Sequence, residues 1–295
     1  MLHDYVVVPS LGVILDETRT VLTQPAVPRF TPEEVSRQLG AEATFLGAGA
    51  FGDTWKVGNE AVKIICADDP SLARLAREVE GLRRVSSPHV VAFHGPVTVQ
   101  LGGKDRPGLR FEYIAGGDLE GRLSEGELLP VEHAEDFLRG LLTGVHALHK
   151  AATIHRDIKP ANVVLRNGRW QEPVLLDLGL AKQIDWSTIT IYPGHIGTFP
   201  YMAPEQLIGQ RARKAADLWA IGVTVRHALT GSHPFYKINQ KYTVDEAYSC
   251  LTQGPKPLPE NCPKSVSVIL DRLTSMVEHE RGSVSSNLIR LSRGN

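Results

Sequence analysis

The sequence predicts an α+β protein of two successive units, an antiparallel β-sheet carrying one helix and then a mainly helical region. Apolar alternation broken by glycine turns runs between residues 43 and 114, and from residue 131 the apolar residues recur at steps of three and four. A length of 295 residues allows roughly two folding units of about 150 residues each. The predicted boundaries are an extension over residues 1–40, a first unit over 41–114 and a second over 115–295.

Within the extension, "YVVVPSLGVILDE" offers two short strands around a Pro-Ser-Leu-Gly turn. The helix that follows, in "TPEEVSRQLG", is bounded by its own chemistry. Thr31 caps it, Pro32 suits its first turn, Glu34 completes a capping box and Gly40 ends it. From residue 43, "TFLGAGAFGDTWKV", then "GNE", then "AVKII" read as strand, glycine turn and strand in a tight hairpin, with "SLARLAREVEGLRRV" as the next helix. Strands around "VVAFHGPVTVQL" and "GLRFEYI" flank a turn, "GGKDRPG", and complete the sheet. In the second unit Val131, Ala134, Phe137, Leu138, Leu141, Val145 and Leu148 mark one buried helix face. "KAADLWAIGVTVRHALTG" and "SVSVILDRLTSMVEH" also have helical spacing, and no internal repeat is present.

Composition excludes several function classes. With 32 basic and 33 acidic side chains, no charge excess points to nucleic acid or an anionic membrane, and neither is an expected partner. Cys66, Cys250 and Cys262 are scattered, odd in number and outside any zinc spacing, so a reducing compartment, the cytoplasm, is expected. No run approaches the roughly 18 apolar residues of a membrane span, and "MLHDYVVVPSLG" lacks the pattern of a leader, so neither secretion nor anchoring is expected. His89, His94, His233 and His279 have no metal-ligand spacing and are assigned to packing or surface roles.

The chemistry begins at "LGAGAFG", where Gly47, Gly49 and Gly52 stand between two strands. Residues without Cβ let backbone N–H groups approach phosphate oxygens, so such a hairpin can drape over a nucleotide; a plain glycine-rich hairpin is the structural alternative. A dinucleotide fold needs its glycines to open a helix, and "DTWKVGNEAVKII" is strand. Lys63, between Val62 and Ile64, faces away from both and reaches beneath the glycine turn, with Glu78 on the next helix as counter-charge. "IHRDIKPANVVL" gathers His155, Arg156, Asp157, Lys159 and Asn162 within an aliphatic frame.

In order, the glycine turn, Ala61-Val62-Lys63, Glu78, "HRDIKPAN", "DLG" and "GTFPYMAPE" make residues 43–290 similar to eukaryotic-type (Hanks-type) serine/threonine protein kinases, and the chain resembles soluble bacterial-type members. The resemblance implies a bilobal protein-kinase fold, with an antiparallel β-sheet N-lobe carrying one helix and a mainly helical C-lobe. It also implies ATP as phosphoryl donor and Mg²⁺ as cofactor, with Mn²⁺ as a substitute. Asp157 is then the base for a substrate hydroxyl, Lys159 offsets charge on the transferred group, and Lys63 with Glu78 positions phosphate. Asn162 and Asp177 become the metal ligands. Backbone of Gly47, Ala48, Gly49 and Gly52 is expected over the phosphates. Adenine is expected beside Phe111 and the backbone of Glu112 and Ile114, with Asp118 near the ribose. Leu46, Ala61 and Val164 would enclose the purine, and Thr54 stands where the family usually has valine.

The same resemblance places Leu82, His155 and Leu178 in a hydrophobic column, with Leu178 replacing the usual phenylalanine. Lys159 after the base and Thr198 imply Ser/Thr hydroxyls of protein substrates. Arg156 implies control by phosphorylation, with Ser187, Thr188, Thr190 and Tyr192 as candidate sites. Asp217 and Glu205 match structural anchors, with Arg281 as partner of Glu205. A pseudokinase and a small-molecule kinase are the alternatives. Lys63, Asp157, Asn162 and Asp177 argue against the first and "GTFPYMAPE" against the second. Residues 1–40 are expected to brace the small lobe or to dock a regulatory partner.

Overall fold

A computed structural model describes residues 27–49, 52–66, 72–176, 200–238, 240 and 242–293. The two strands expected near residue 10 lie outside them. The chain divides into two compact units, one of residues up to 79 together with 93–113, the other of 80–92 together with 114 onward.

The first unit opens on α1 (Pro32–Leu39), whose ends are set by its caps. Thr31 Oγ1 accepts the Glu34 N–H at 3.2 Å, and Glu34 Oε2 accepts the Thr31 N–H at 2.9 Å. Gly40 closes the helix in the left-handed conformation. The sheet follows as β1 (Ala43–Gly49), β2 (Gly52–Val57) and β3 (Glu60–Ile65). After α2 (Leu72–Arg83), which carries the boundary between the units, come β4 (Phe93–Leu101) and β5 (Lys104–Glu112). The strand order is β1-β2-β3-β5-β4, antiparallel throughout.

One face of this sheet is closed by α1, which lies against β1 and β4 and sends Val35 into a core of Trp55, Val57, Val62, Ile64, Val99 and Leu101. Burying a side chain such as Val35 stabilises by roughly 1.5–3 kcal/mol. Because side chains alternate along a strand, Val62 and Ile64 enter this core and Lys63 faces the other side, half-buried.

The expected turn "GGKDRPG" contracts to two residues. Gly102 and Gly103 both have positive φ, 60° and 72°, which closes a tight hairpin whose twist matches the flanking strands, so Leu101 already pairs with Lys104. Pro107 therefore lies in β5, beyond the last β3 pairing at Gly108, where a residue without N–H is tolerated.

The second unit comprises α3 (Leu119–Ser124), α4 (Ala134–Lys150), the hairpin β6 (Val163–Leu165) and β7 (Pro173–Leu175), α5 (Pro204–Leu207), α6 (Lys214–Thr230), α7 (Val244–Thr252), α8 (Lys264–Leu273) and α9 (Val284–Arg293). The expected face of α4 is buried from Ala134 to Leu148, except that Val131 lies in a preceding 3-10 turn and is only half-buried. A tighter turn rotates it off the 3.6-residue stripe. Helix α6 is buried on every side from Ala216 to Leu229, so it carries no polar stripe at all. The helix expected over 265–279 ends at Leu273, and Glu278–Arg281 forms a separate 3-10 turn. No helix among the described residues is long and apolar enough to cross a membrane.

Candidate active site

The polar loop 154–162 is shaped from beneath by Asp217, in the first turn of α6 and fully buried. Asp217 Oδ2 accepts the His155 N–H at 3.0 Å and His149 Nε2–H at 2.8 Å, and its Oδ1 accepts the Arg156 N–H at 2.8 Å. Those bonds hold Arg156 at φ 66°. A non-glycine residue pays about 1–2 kcal/mol for that left-handed geometry. The kink separates the fully buried His155 from Asp157, which keeps 17 % of its side chain exposed.

His155 fixes the loop from the other side. Its Nε2 lies 2.8 Å from the Leu176 carbonyl, which can only accept, so the ring proton sits on Nε2. Nδ1 then accepts the Asp157 N–H at 3.3 Å. Asn162, in the 3-10 turn after Pro160, donates from Nδ2 to the Asp157 carbonyl at 2.7 Å and to Asp157 Oδ2 at 3.1 Å. That orients its oxygen Oδ1 as the acceptor, a hard neutral donor suited to a divalent cation. Lys159 Nζ stands 3.4 Å from Asp157 Oδ2. The structure thus brings Asp157, Lys159 and Asn162 together.

In the first unit, the remaining candidates share the face opposite the α1 core. Thr54 pairs with Lys63 across β2 and β3, and Ala61 pairs with Phe111 across β3 and β5, so all four side chains stand on one side. Leu46 is the extra residue of a bulge in β1, which leaves it 43 % exposed. The glycines divide by role. A Cβ on Gly52 would stand 1.9 Å from the Ile64 carbonyl oxygen, so the sheet itself requires that glycine, whereas nothing lies within 4 Å of the same position on Gly47. Ala48 is half-buried and Gly49 exposed at the rim of the hairpin.

Glu112 and Ile114 are half-buried. In the second unit Asp118 caps α3, accepting the Gly121 N–H at 2.8 Å, and bridges to Val164, which is buried. Glu120, which nothing in the sequence singles out, lies close enough to feel both Asp118 and Lys159. Although the residue as a whole is exposed, desolvation of its carboxyl, with help from Asp118, raises it above the ordinary carboxylate range, and Lys159 opposes the shift. Leu82 and His155 are both buried. Asp177, Leu178, Thr198, Ser187, Thr188, Thr190, Tyr192 and the side chain of Glu78 lie outside the described residues.

Two histidines assigned only to packing or left unassigned anchor the "PYMAPE" segment. His233 Nε2 donates to the Pro200 carbonyl at 3.0 Å, while its Nδ1 accepts the N–H groups of Phe235 and Tyr236 at 3.2 and 3.0 Å. The Tyr201 hydroxyl meets His227 Nδ1 at 2.7 Å. Burial pushes His227 down to about 4 and His233 down to about 3, with His227 and Lys256 adding to the depression of His233. The unfolded histidines titrate near 6.5, so below that pH the unfolded chain binds more protons, and stability is lost as pH falls toward 4 and 3. At pH 5 each histidine should cost about 2 kcal/mol. Urea unfolding at pH 7.5 and 5 should show this loss, and a His233→Asn variant should lose about 2 kcal/mol less than the parent over the same interval.

Below the same segment Glu205, in α5, receives both arms of the fully buried Arg281, at 2.7 Å from Nη1 to Oε1 and 2.8 Å from Nη2 to Oε2. Arg281 also donates to the carbonyls of Ser275 and Ala215 and lies over the Trp219 ring. The partner expected for Glu205 is the one observed.

A family model described as protein kinase domain matches residues 41–289. The chain is 32% identical over 226 residues to the probable serine/threonine-protein kinase PkwA of Thermomonospora curvata, covering 73% of this chain and 29% of that protein. It is 29% identical over 238 residues to the serine/threonine-protein kinase PknA of Mycobacterium tuberculosis, covering 77% and 54%. To the mitogen-activated protein kinase kinase 7 of Arabidopsis thaliana it is 31% identical over 260 residues, covering 82% and 81%. The chain spans less than two thirds of the length of the first two relatives.

Proposed function

Because this chain belongs to the protein kinase family, we propose that it transfers the γ-phosphoryl group of ATP to serine and threonine hydroxyls of protein substrates. The observation that carries the proposal is the loop held by buried Asp217, which presents Asp157 beside Lys159 and Asn162. The substrate hydroxyl oxygen attacks the γ-phosphorus, and the bond to the bridging oxygen breaks, its electron pair leaving on ADP. Asp157 takes the hydroxyl proton, and Lys159 offsets negative charge on the transferred group. Asn162 steadies Asp157 through its amide nitrogen and offers Oδ1, with Asp177, to Mg²⁺ or Mn²⁺. A metal held there would neutralise phosphate charge. Lys63, partnered by Glu78, orients the phosphates under the backbone of Gly47 to Gly52, and the face bearing Thr54, Ala61 and Phe111 receives the adenine. Free thiols at Cys66, Cys250 and Cys262 support a cytoplasmic setting.

Incubation of the purified protein with labelled ATP, Mg²⁺ and a generic protein acceptor, followed by mass spectrometry, tests this. Phosphoserine or phosphothreonine on the acceptor or within residues 178–204 is expected, abolished by chelation and restored by either metal. Label confined to a small-molecule hydroxyl, or none despite nucleotide binding, would sink the proposal.

A further inference from the structure

Arg29 precedes the region matched by the protein kinase family, yet it reaches the glycine hairpin. Asp53, two residues before Trp55 on β2, points with it toward the face that α1 covers and is fully buried. A carboxylate taken out of water needs partners, and removing one side of such a pair leaves a costly unpaired charge. Arg29 supplies them twice, donating its backbone N–H to Asp53 Oδ2 at 2.6 Å and its Nη1 to Asp53 Oδ1. Its Nη2 donates to the Gly49 carbonyl at 3.0 Å. One side chain therefore joins the last residue of β1 to the second residue of β2, at the mouth of the turn.

The segment carrying Arg29 is itself held. Phe30 lies under the Arg106 guanidinium, which bonds the carbonyls of Leu101 and Cys66. Beyond it, Ser36 Oγ accepts the Ala43 N–H at 2.9 Å, and Gln38 accepts the N–H of Gln100 at 3.0 Å. Residues 29–38 thus form a strap fixed to the glycine hairpin and β5 at its start and to β1 and β4 at its end. The guanidinium of Arg29 keeps 36% of its side chain exposed while Asp53 keeps none, so the joint can be opened from the solvent side.

We propose that Arg29 is a positioning residue for nucleotide binding: by pinning Asp53 and Gly49 it holds the glycine hairpin in the shape that covers the phosphates. This rests on the kinase reading of the same hairpin. Loss of the Arg29 side chain leaves the buried Asp53 with only the backbone N–H of residue 29 as donor and no counter-charge, and the hairpin must shift to hydrate it. Lysine at position 29 can meet one carboxylate oxygen but lacks the fork that also reaches Gly49.

The test compares the full chain with Arg29→Ala, Arg29→Lys and Arg29→Ala/Asp53→Asn, reading KM for ATP, kcat, the Kd of a fluorescent ATP analogue and hydrogen exchange at residues 47–54. Arg29→Ala should raise KM and Kd about five- to thirtyfold with kcat changed less than threefold, and should speed exchange in the hairpin. Arg29→Lys should fall between, and the double variant should recover part of the loss because it removes the stranded charge. Should Arg29→Ala fail to fold, Arg29→Lys carries the comparison. Unchanged Kd and exchange in a folded Arg29 variant would overturn the proposal while leaving the kinase reading intact. A parent chain that binds no ATP analogue would overturn both.

Discussion

Replacing Asp157 with asparagine should lower kcat by roughly two to four orders of magnitude, the usual contribution of a positioned general base. The substitution is nearly isosteric, and an amide oxygen can still accept from Asn162 Nδ2, which lies 3.1 Å from Asp157 Oδ2. The backbone bonds that set the loop, from Asp217 to the N–H groups of His155 and Arg156 and from His155 Nδ1 to the Asp157 N–H, do not involve the replaced carboxylate. KM for ATP should therefore stay within about threefold, since the residues assigned to nucleotide are elsewhere. Steady-state kinetics of the two proteins, with thermal unfolding as a control for folding, decides the matter. A loss of less than tenfold in kcat would mean that Asp157 does not take the substrate proton.

Glu205→Ala should destabilise the protein by about 3–5 kcal/mol, because it strands the charge of a fully buried Arg281. The carbonyls of Ser275 and Ala215 still accept from Arg281, which places the expected loss toward the lower end of that range. Removing both charges together, as Glu205→Leu/Arg281→Met, should recover most of the loss, since a well-packed apolar pair avoids desolvation altogether. Urea unfolding of the parent, the single and the double variant forms the cycle. If the double variant were as unstable as Glu205→Ala, the charge of Arg281 would not be the cause, and packing against Trp219 would be.

The double variant also separates stability from activity. Glu205 lies in the first turn of α5, shortly after the residues that His227 and His233 hold at Tyr201 and Pro200. A stable double variant with impaired phosphorylation of protein acceptors but unchanged ATP binding would show that the pair places this segment as well as stabilising it.

Much of the local structure was legible in the residues. The α1 caps work through atoms at most four residues apart, so Thr31, Glu34 and Gly40 announce the helix wherever it packs. Thr243 and Glu246 give α7 the same kind of signal, although only Ala247 and Leu251 of that helix are buried. The six residues of α3 are too few for any period to show. The run "GGKDRPG" reads as a seven-residue turn, whereas Gly102 and Gly103 alone form a complete two-residue turn between β4 and β5.

Caps, alternation and motif spacing act over a few residues, so the strands of the first unit, the long helices of the second and the groups proposed for the site are legible locally. Asp157, Lys159 and Asn162 are five residues apart or fewer, and the short turn at Pro160 suffices to gather them. What holds them there comes from contacts distant in the chain. Asp217 reaches the loop from 61 and 62 residues away, Arg281 reaches Glu205 from 76, and Arg29 reaches Asp53 from 24. Each contact involves a buried charge whose partner is chosen by packing, because a charge removed from water is stable only where the fold delivers partners to it.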